Sequence, residues 1–125
     1  MARILIAEDE EALCAMCARA LSGVGHEVRT ASDGSGALDL LKRDGGRFDL
    51  LLTDIRMPMM DGIALALAVA RDYPDLTILL MTGYADQRER AHGLDALIHD
   101  VVTKPFTLAT LRTAVAEALA VRVRT

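Results

Sequence analysis

The sequence has no excess of positive charge and no long apolar run, and each absence excludes a class of protein. Its 125 residues include 14 Lys and Arg against 18 Asp and Glu, which gives a net charge of -4. A nucleic-acid partner is therefore not expected, because phosphate binding is carried by clustered basic side chains. The apolar stretch Ile4 to Ala7 is too short for a signal peptide, and no run is long enough to span a bilayer. We expect a cytoplasmic protein with no membrane partner.

Cysteine is also scarce, with Cys14 and Cys17 as the only two. Their Cys-x-x-Cys spacing occurs in redox and zinc sites, but no further Cys is available to complete a zinc site. A redox pair usually begins a helix after a strand, whereas these two fall inside the predicted helix 10–24. Cys17 is in helical register with Leu13 and Leu21, so we predict that it packs in the core, with Cys14 at the margin of that face.

Linkers, internal repeats and low-complexity segments are absent as well, so we expect a single domain over residues 1–125 with no output domain. Strand-like apolar runs alternate five times with helix-like segments. The predicted strands are residues 3–7, 27–31, 50–53, 77–82 and 99–103. The predicted helices are residues 10–24, 35–44, 63–72, 86–94 and 108–121. Five such units with right-handed crossovers predict an α/β fold, with a parallel sheet covered on both faces.

The stretch 50–62 is the centre of this pattern. The apolar run Leu50-Leu51-Leu52-Thr53 is typical of a strand buried on both faces, and it leads directly into Asp54. Pro58 prevents a regular continuation, and Asp61-Gly62 gives a turn into the next helix. Asp54 is therefore placed at the carboxyl end of a strand, the edge where open α/β sheets bind their ligands.

Polar side chains follow three other predicted strands: Glu8-Asp9 the first, Thr82 the fourth and Lys104 the fifth. Parallel strands end at one edge, so these groups should converge with Asp54. Three carboxylates packed together repel, and such a cluster shifts pKa values or binds a cation. Oxygen ligands without His or Cys favour Mg²⁺ or a similar hard ion. The alternative is an ion-pair network of surface acids with Lys104, which the repeated placement at strand ends makes the weaker interpretation.

With these motifs together, the chain resembles the response-regulator receiver domain, the CheY-like module, over essentially its whole length. The matching residues are Glu8-Asp9, Asp54 with Met57-Pro58 and Asp61-Gly62, Thr82-Gly83, and Lys104-Pro105-Phe106. The resemblance implies a doubly wound, flavodoxin-like sheet with strand order 2-1-3-4-5. A weaker similarity, through Thr82-Gly83-Tyr84-Ala85, points to CpdR-type stand-alone regulators.

The resemblance implies that Asp54 is the phosphoacceptor and that Thr82 and Lys104 bind the phosphoryl oxygens, with a cis bond between Lys104 and Pro105. It also implies the Mg²⁺ ligands, namely the side chains of Asp9 and Asp54, the backbone carbonyl of Arg56 and, through water, Glu8. The protein would then not be an enzyme with a separate substrate. It would phosphorylate itself from a phosphodonor and lose the group slowly.

The expected phosphodonor is a histidine kinase or a histidine phosphotransfer protein, because none of His26, His92 and His99 is placed at the carboxylate cluster. We expect a downstream protein to bind the face formed by residues 86–120. The predicted helix 86–94 has few apolar anchors and follows directly from Thr82-Gly83, so a shift of Thr82 can reach it.

Two positions depart from the common family pattern. Val101 stands where many receivers carry an aromatic switch residue, and Tyr84 is the nearby aromatic that could take a related part or be a plain exposed side chain. Arg56 and Tyr84 occupy positions that influence dephosphorylation in the family. Both are large, so we expect them to obstruct the attacking water and prolong the phosphorylated state, unless the charge of Arg56 assists hydrolysis.

Three functions remain open from the sequence. The leading one is a stand-alone phosphorylation switch that signals by docking, and the second is an intermediate that passes phosphate along a multi-step relay. The third is a flavodoxin-like ligand binder or a phosphohydrolase. Against it, the turn Glu8-Asp9-Glu10-Glu11 is acidic where a flavin phosphate loop is rich in Gly or hydroxyl groups, and Arg56 stands where a haloacid-dehalogenase-type hydrolase needs its second acid.

Overall fold

A computed structural model describes residues 2–83, 91, 93–94 and 96–124. The strands are β1 (Arg3–Ala7), β2 (Glu27–Ala31), β3 (Leu50–Asp54), β4 (Thr77–Thr82) and β5 (Asp100–Thr103). The described helices are α1 (Glu11–Ser22), α2 (Gly34–Arg43), α3 (Gly62–Asp72) and α4 (Leu108–Arg124). The predicted bounds agree with these to within one residue for the strands and three for the helices. The predicted helix 86–94 lies almost entirely outside the described residues.

The five strands form one parallel sheet in the order β2-β1-β3-β4-β5, which confirms the predicted fold. Neighbouring strands reach the carboxyl edge of the sheet together, because Ala7 lies opposite Thr53 and Thr82 lies opposite Thr103. Asp54 is still inside β3 and pairs with Met81. Because the strands end at similar heights, the residues that follow them reach a common edge.

The sheet separates two apolar layers. Leu5, Leu51 and Leu80 point towards α2 and α3, while Ile6 and Leu52 point towards α1 and α4. All five residues of β3 are buried, as expected for a strand covered on both sides. This double burial fixes the height of Asp54, because any slip of β3 along the sheet would expose apolar side chains.

The two cysteines take the predicted places. Cys17 is fully buried in the layer between the sheet, α1 and α4, whereas Cys14 is half-buried at its margin. Burial raises the pKa of the Cys17 thiol to about 11, so this group is protonated and unreactive at neutral pH. The core-packing interpretation is confirmed.

Short carboxylate caps begin the two helices that follow β2 and β3. Asp33 accepts a hydrogen bond from the Gly36 amide at 2.7 Å, and Asp61 accepts one from the Ala64 amide at 2.8 Å. Each cap satisfies an otherwise unpaired amide in the first helical turn. Each therefore fixes where its helix starts relative to the preceding loop.

Within the described part of the chain, no helix combines the length and the apolar character that crossing a membrane would require.

Candidate functional site

The ammonium group of Lys104, just after β5, bonds to carboxyl groups at the ends of β1 and β3. The Lys104 Nζ donates hydrogen bonds to Glu8 Oε1 at 2.9 Å and to Asp54 Oδ2 at 3.0 Å. Glu8 and Asp54 are only 2% and 7% exposed, so these are shielded, charge-assisted contacts and not solvated surface pairs. The structure thus brings together the groups that the sequence placed after the first, third and fifth strands.

Backbone bonds hold these side chains in place. The Lys104 amide donates to the Thr82 carbonyl at 2.7 Å, the Glu8 amide to the Ala31 carbonyl at 3.0 Å, and the Ile55 amide to the Met81 carbonyl at 3.0 Å. The peptide bond between Lys104 and Pro105 is cis, as expected. Glu8 and Lys104 are thereby tied to neighbouring strands just beyond their own strand ends, and Asp54 is held by the bond of the next residue, Ile55.

For both Glu8 and Lys104, burial and hydrogen bonding shift the pKa in opposite directions. Burial raises the pKa of Glu8, although hydrogen bonds from the Glu10 amide and from Lys104 partly oppose the increase. Burial lowers the pKa of Lys104, but its hydrogen bonds to Glu8 and Asp54 outweigh that effect and raise the pKa above its ordinary value. Lys104 is therefore charged at neutral pH.

The carboxyl groups are arranged in a way that suits a hard cation. Oxygen atoms of Glu8, Asp9 and Asp54 all lie within 4.8 Å of one another. Opposite oxygen ligands of an octahedral Mg²⁺ are about 4 Å apart, so small side-chain movements would bring these groups to one ion. Asp9 is exposed, which leaves space for coordinating water. Oxygen donors with room for water fit a small divalent cation.

A cavity of about 890 Å³ opens above this cluster. One wall is the loop after β3, with Arg56, Met57 and Pro58, and the other is formed by Gly83 and Pro105. The cavity is therefore large enough to admit a small phosphorylated group, and Asp54 lies at its base.

The remaining predicted site residues are placed as follows. Thr82 ends β4 and is 1% exposed, whereas Arg56 is exposed at the cavity wall. Val101 is half-buried and packs against the apolar layer that contains α2 and α3. Tyr84 lies outside the described residues, so its part as a switch or lifetime residue stays a prediction.

One contact near the site was not predicted from the sequence. It lies between Gly34 at the start of α2 and Met60 in the loop after β3. A signal was available, because Asp33-Gly34 repeats the Asp61-Gly62 pair that begins α3. In both places Asp caps a helix and the following Gly is buried in close contact with backbone.

Comparison with known proteins identifies the family. A family model described as the response regulator receiver domain matches residues 4–116. This chain belongs to that family. It is a receiver domain of two-component signalling, and the alternatives of a flavodoxin-like binder or a phosphohydrolase are set aside.

Named relatives of this receiver domain share the same region. The chain is 37% identical over 106 residues to "Transcriptional regulatory protein TcrA" of Mycobacterium tuberculosis, across 85% of this chain and 41% of that protein. It is 38% identical over 109 residues to "Response regulator MprA" of Mycobacterium avium, across 87% of this chain and 47% of that protein. The chain thus spans less than half the length of these relatives.

A solved structure agrees over nearly the full receiver domain. Chemotaxis response regulator CheY4 of Vibrio cholerae superposes with a TM-score of 0.83 at 30% identity, covering 94% of this chain and 98% of that one. The chain therefore has the fold of a solved response regulator.

Replacing Lys104 by Met should destabilise the cation-free receiver domain by about 1–3 kcal/mol, because Glu8 and Asp54 would lose the donor that satisfies them. The loss should shrink as the pH falls. Without Lys104 the pKa of the buried Glu8 carboxyl is raised further than in the unchanged chain, so the folded variant gains more stability from protonation of Glu8. Urea unfolding in the presence of a chelator, across a pH series, measures both effects.

The matched control is Lys42→Met, which removes an exposed lysine of α2 and should change stability by less than about 0.5 kcal/mol. Equal losses in the two variants at every pH would contradict the account of Lys104.

Proposed function

We propose that this receiver domain accepts a phosphoryl group on Asp54 with Mg²⁺ as cofactor, and that the phosphorylated form signals by docking to a protein. One observation carries the proposal: Asp54 lies at the base of an open cavity, bonded to Lys104 at 3.0 Å, with the carboxyl groups of Glu8 and Asp9 beside it. A nucleophile, a fixed positive charge and a cation-binding set of oxygens are the parts that phosphoryl transfer needs.

The residues have distinct parts in this chemistry. An oxygen of Asp54 attacks the phosphorus of a phosphohistidine, so that a P–O bond forms while the P–N bond breaks and its electron pair leaves with the imidazole. Lys104 is charged and already within hydrogen-bond distance of Asp54, so it can offset the negative charge of the incoming oxygens. Thr82 supplies a hydroxyl at the end of β4. The buried carboxyl of Glu8 holds Lys104 in place.

Asp9, Asp54 and the Arg56 carbonyl would hold Mg²⁺ directly, with Glu8 acting through water. The bound ion supplies further neutralisation of phosphoryl charge and orients the reacting groups. Its proposed ligands come from the ends of β1 and β3 and from the loop after β3.

The phosphodonor is proposed to be a histidine kinase or a histidine phosphotransfer protein. The described histidines are not at the cluster, because His26 accepts a hydrogen bond from the Ala2 amide and His99 precedes β5 at the other end of the sheet. His92 lies outside the described residues, and the proposed source of the phosphohistidine is another protein.

The chemistry we propose is limited to accepting the group and losing it slowly, without turnover of a separate substrate. Arg56 at the cavity wall and Tyr84 are proposed to slow the approach of water. Action as a stand-alone protein in the cytoplasm stays a prediction, because the chain matches less than half of its longer relatives.

Asp54→Asn should abolish acid-labile labelling by acetyl phosphate, because the amide keeps the shape of the side chain but removes the nucleophile. Excess chelator should abolish labelling of the unchanged chain in the same way. Asp39→Asn, which removes an exposed carboxyl of α2, is the control and should label normally. Labelling that persists at the normal level in the Asp54→Asn variant would rule out Asp54 as acceptor.

Docking is proposed to use the face formed by residues 86–120. In its described part, β5 is an edge strand with β4 as its neighbour, and Leu97 is 44% exposed. Thr82 is connected to this face directly, because its carbonyl accepts the Lys104 amide. A movement of Thr82 towards a phosphoryl group would therefore be transmitted to the start of the segment after β5.

Beryllofluoride, a phosphoryl mimic, should change amide hydrogen exchange mainly within residues 86–120. The reference is the same chain in Mg²⁺ alone. The control for unspecific effects is the Asp54→Asn variant, measured in Mg²⁺ alone and with beryllofluoride. A response confined to α2 and β2, with residues 86–120 unchanged, would show that the signalling face lies elsewhere.

A further inference from the structure

The start of α2 lies against the loop that connects β3 to α3, and glycine at position 34 makes this possible. The buried Gly34 donates its amide to the Met60 carbonyl at 3.3 Å. A Cβ atom at position 34 would lie 2.7 Å from the Met60 carbonyl oxygen, 2.8 Å from its Cγ and 2.9 Å from its Cβ. A side chain there would have to displace either the loop or the helix, since packed atoms do not approach this closely.

The loop itself carries strain at its exposed turn. Met59 is 89% exposed and has a φ of 67°, a left-handed conformation that is unfavourable for a residue other than glycine. Such a conformation persists when surrounding contacts hold it. Internal bonds close the loop, from the Gly62 amide to the Ile55 carbonyl and from the Met60 amide to the Pro58 carbonyl, each at 2.8 Å. The bond from Gly34 adds an anchor from a separate helix.

We propose that Gly34 is a positioning residue for phosphoryl acceptance, because its lack of a side chain lets α2 fix the loop that follows Asp54 and carries the Arg56 carbonyl. This inference rests on the function proposed above. Gly34 does not line the cavity above Asp54 and acts through Met60. Displacing the loop by even about 1 Å would disturb the Arg56 carbonyl and the adjoining Asp54, which is both a proposed cation ligand and the proposed acceptor. Misplacement on that scale costs up to about a hundredfold in rate.

The decisive variant is Gly34→Ala, with Gly36→Ala as its matched control. Both changes add one methyl group to the first turns of α2, but a Cβ at position 36 would meet its nearest neighbours at 3.4 Å and 3.6 Å, which is ordinary contact. Gly34→Ala should raise the Mg²⁺ concentration needed for half-saturation severalfold and slow labelling by acetyl phosphate roughly tenfold. Gly36→Ala should stay within about twofold of the unchanged chain in both.

A third variant separates the backbone anchor from the Met60 side chain. Met60→Ala keeps the carbonyl that accepts the Gly34 bond, so it should bind Mg²⁺ within about twofold of the unchanged chain. Adding Met60→Ala to Gly34→Ala should not restore binding, because the close approach to the carbonyl oxygen remains. Restoration in the double variant would overturn the backbone assignment.

Mg²⁺ binding is measured by calorimetry with the metal alone. Each variant is kept well below its melting temperature, so that loss of folded protein does not alter the measured affinity. A role limited to stability would lower the melting temperature of Gly34→Ala but leave Mg²⁺ affinity and the labelling rate per folded molecule unchanged. That result would overturn the proposal.

The unchanged chain provides a test that needs no variant. If the contact between Gly34 and Met60 favours cation binding, cation binding must favour the contact to the same extent. Exchange of the Gly34 amide should therefore slow severalfold in saturating Mg²⁺, while exchange at the Gly36 amide changes less. No slowing at Gly34 would contradict the inference, and failure of labelling in the unchanged chain would instead contradict the proposed function.

Discussion

The hydrogen bonds from Lys104 to Glu8 and Asp54 constrain the rest of this receiver domain. They join groups 96 and 50 residues apart in the sequence, at the ends of β1, β3 and β5. Charges this deeply buried are costly unless each is paired and bonded in good geometry. The strands must therefore end at matched heights, and the apolar layers on both faces of the sheet keep them there.

The same arrangement prepares the site for a charged ligand. Hydrogen bonding to Glu8 and Asp54 keeps Lys104 charged, so the cluster holds a fixed positive charge beside the proposed acceptor before any phosphoryl group arrives. Groups that are already oriented need little reorganisation during transfer. The loop after β3 completes this preparation, with α3 bonded to its base and α2 bonded to Met60.

Much of this could be predicted from the sequence, for identifiable reasons. The apolar run of β3 ends in a carboxylate, and a parallel sheet brings such strand ends to one edge, so the convergence of Glu8, Asp54 and Lys104 followed from periodicity alone. Cys17 was placed in the core by its helical register. The family resemblance added the strand order and the cis bond before Pro105, which periodicity does not specify.

Other features depend on tertiary distances that no local pattern encodes. The contact of Gly34 with Met60 joins two loops whose separation is set by how α2 and α3 pack on the sheet. The different exposure of the neighbours Glu8 and Asp9 likewise depends on where Lys104 lies. The parts assigned to Tyr84 and to the helix predicted at residues 86–94 fall outside the described residues and stay predictions.

Of three adjacent carboxyl groups, Asp54 is the proposed acceptor of the phosphoryl group. Borohydride reduction of the acyl phosphate, followed by peptide mass spectrometry, marks the modified carboxyl directly by converting aspartate to homoserine. We expect homoserine at position 54 after treatment with acetyl phosphate and Mg²⁺, with Glu8 and Asp9 intact. Modification at Glu8 or Asp9, with Asp54 unchanged, would contradict it.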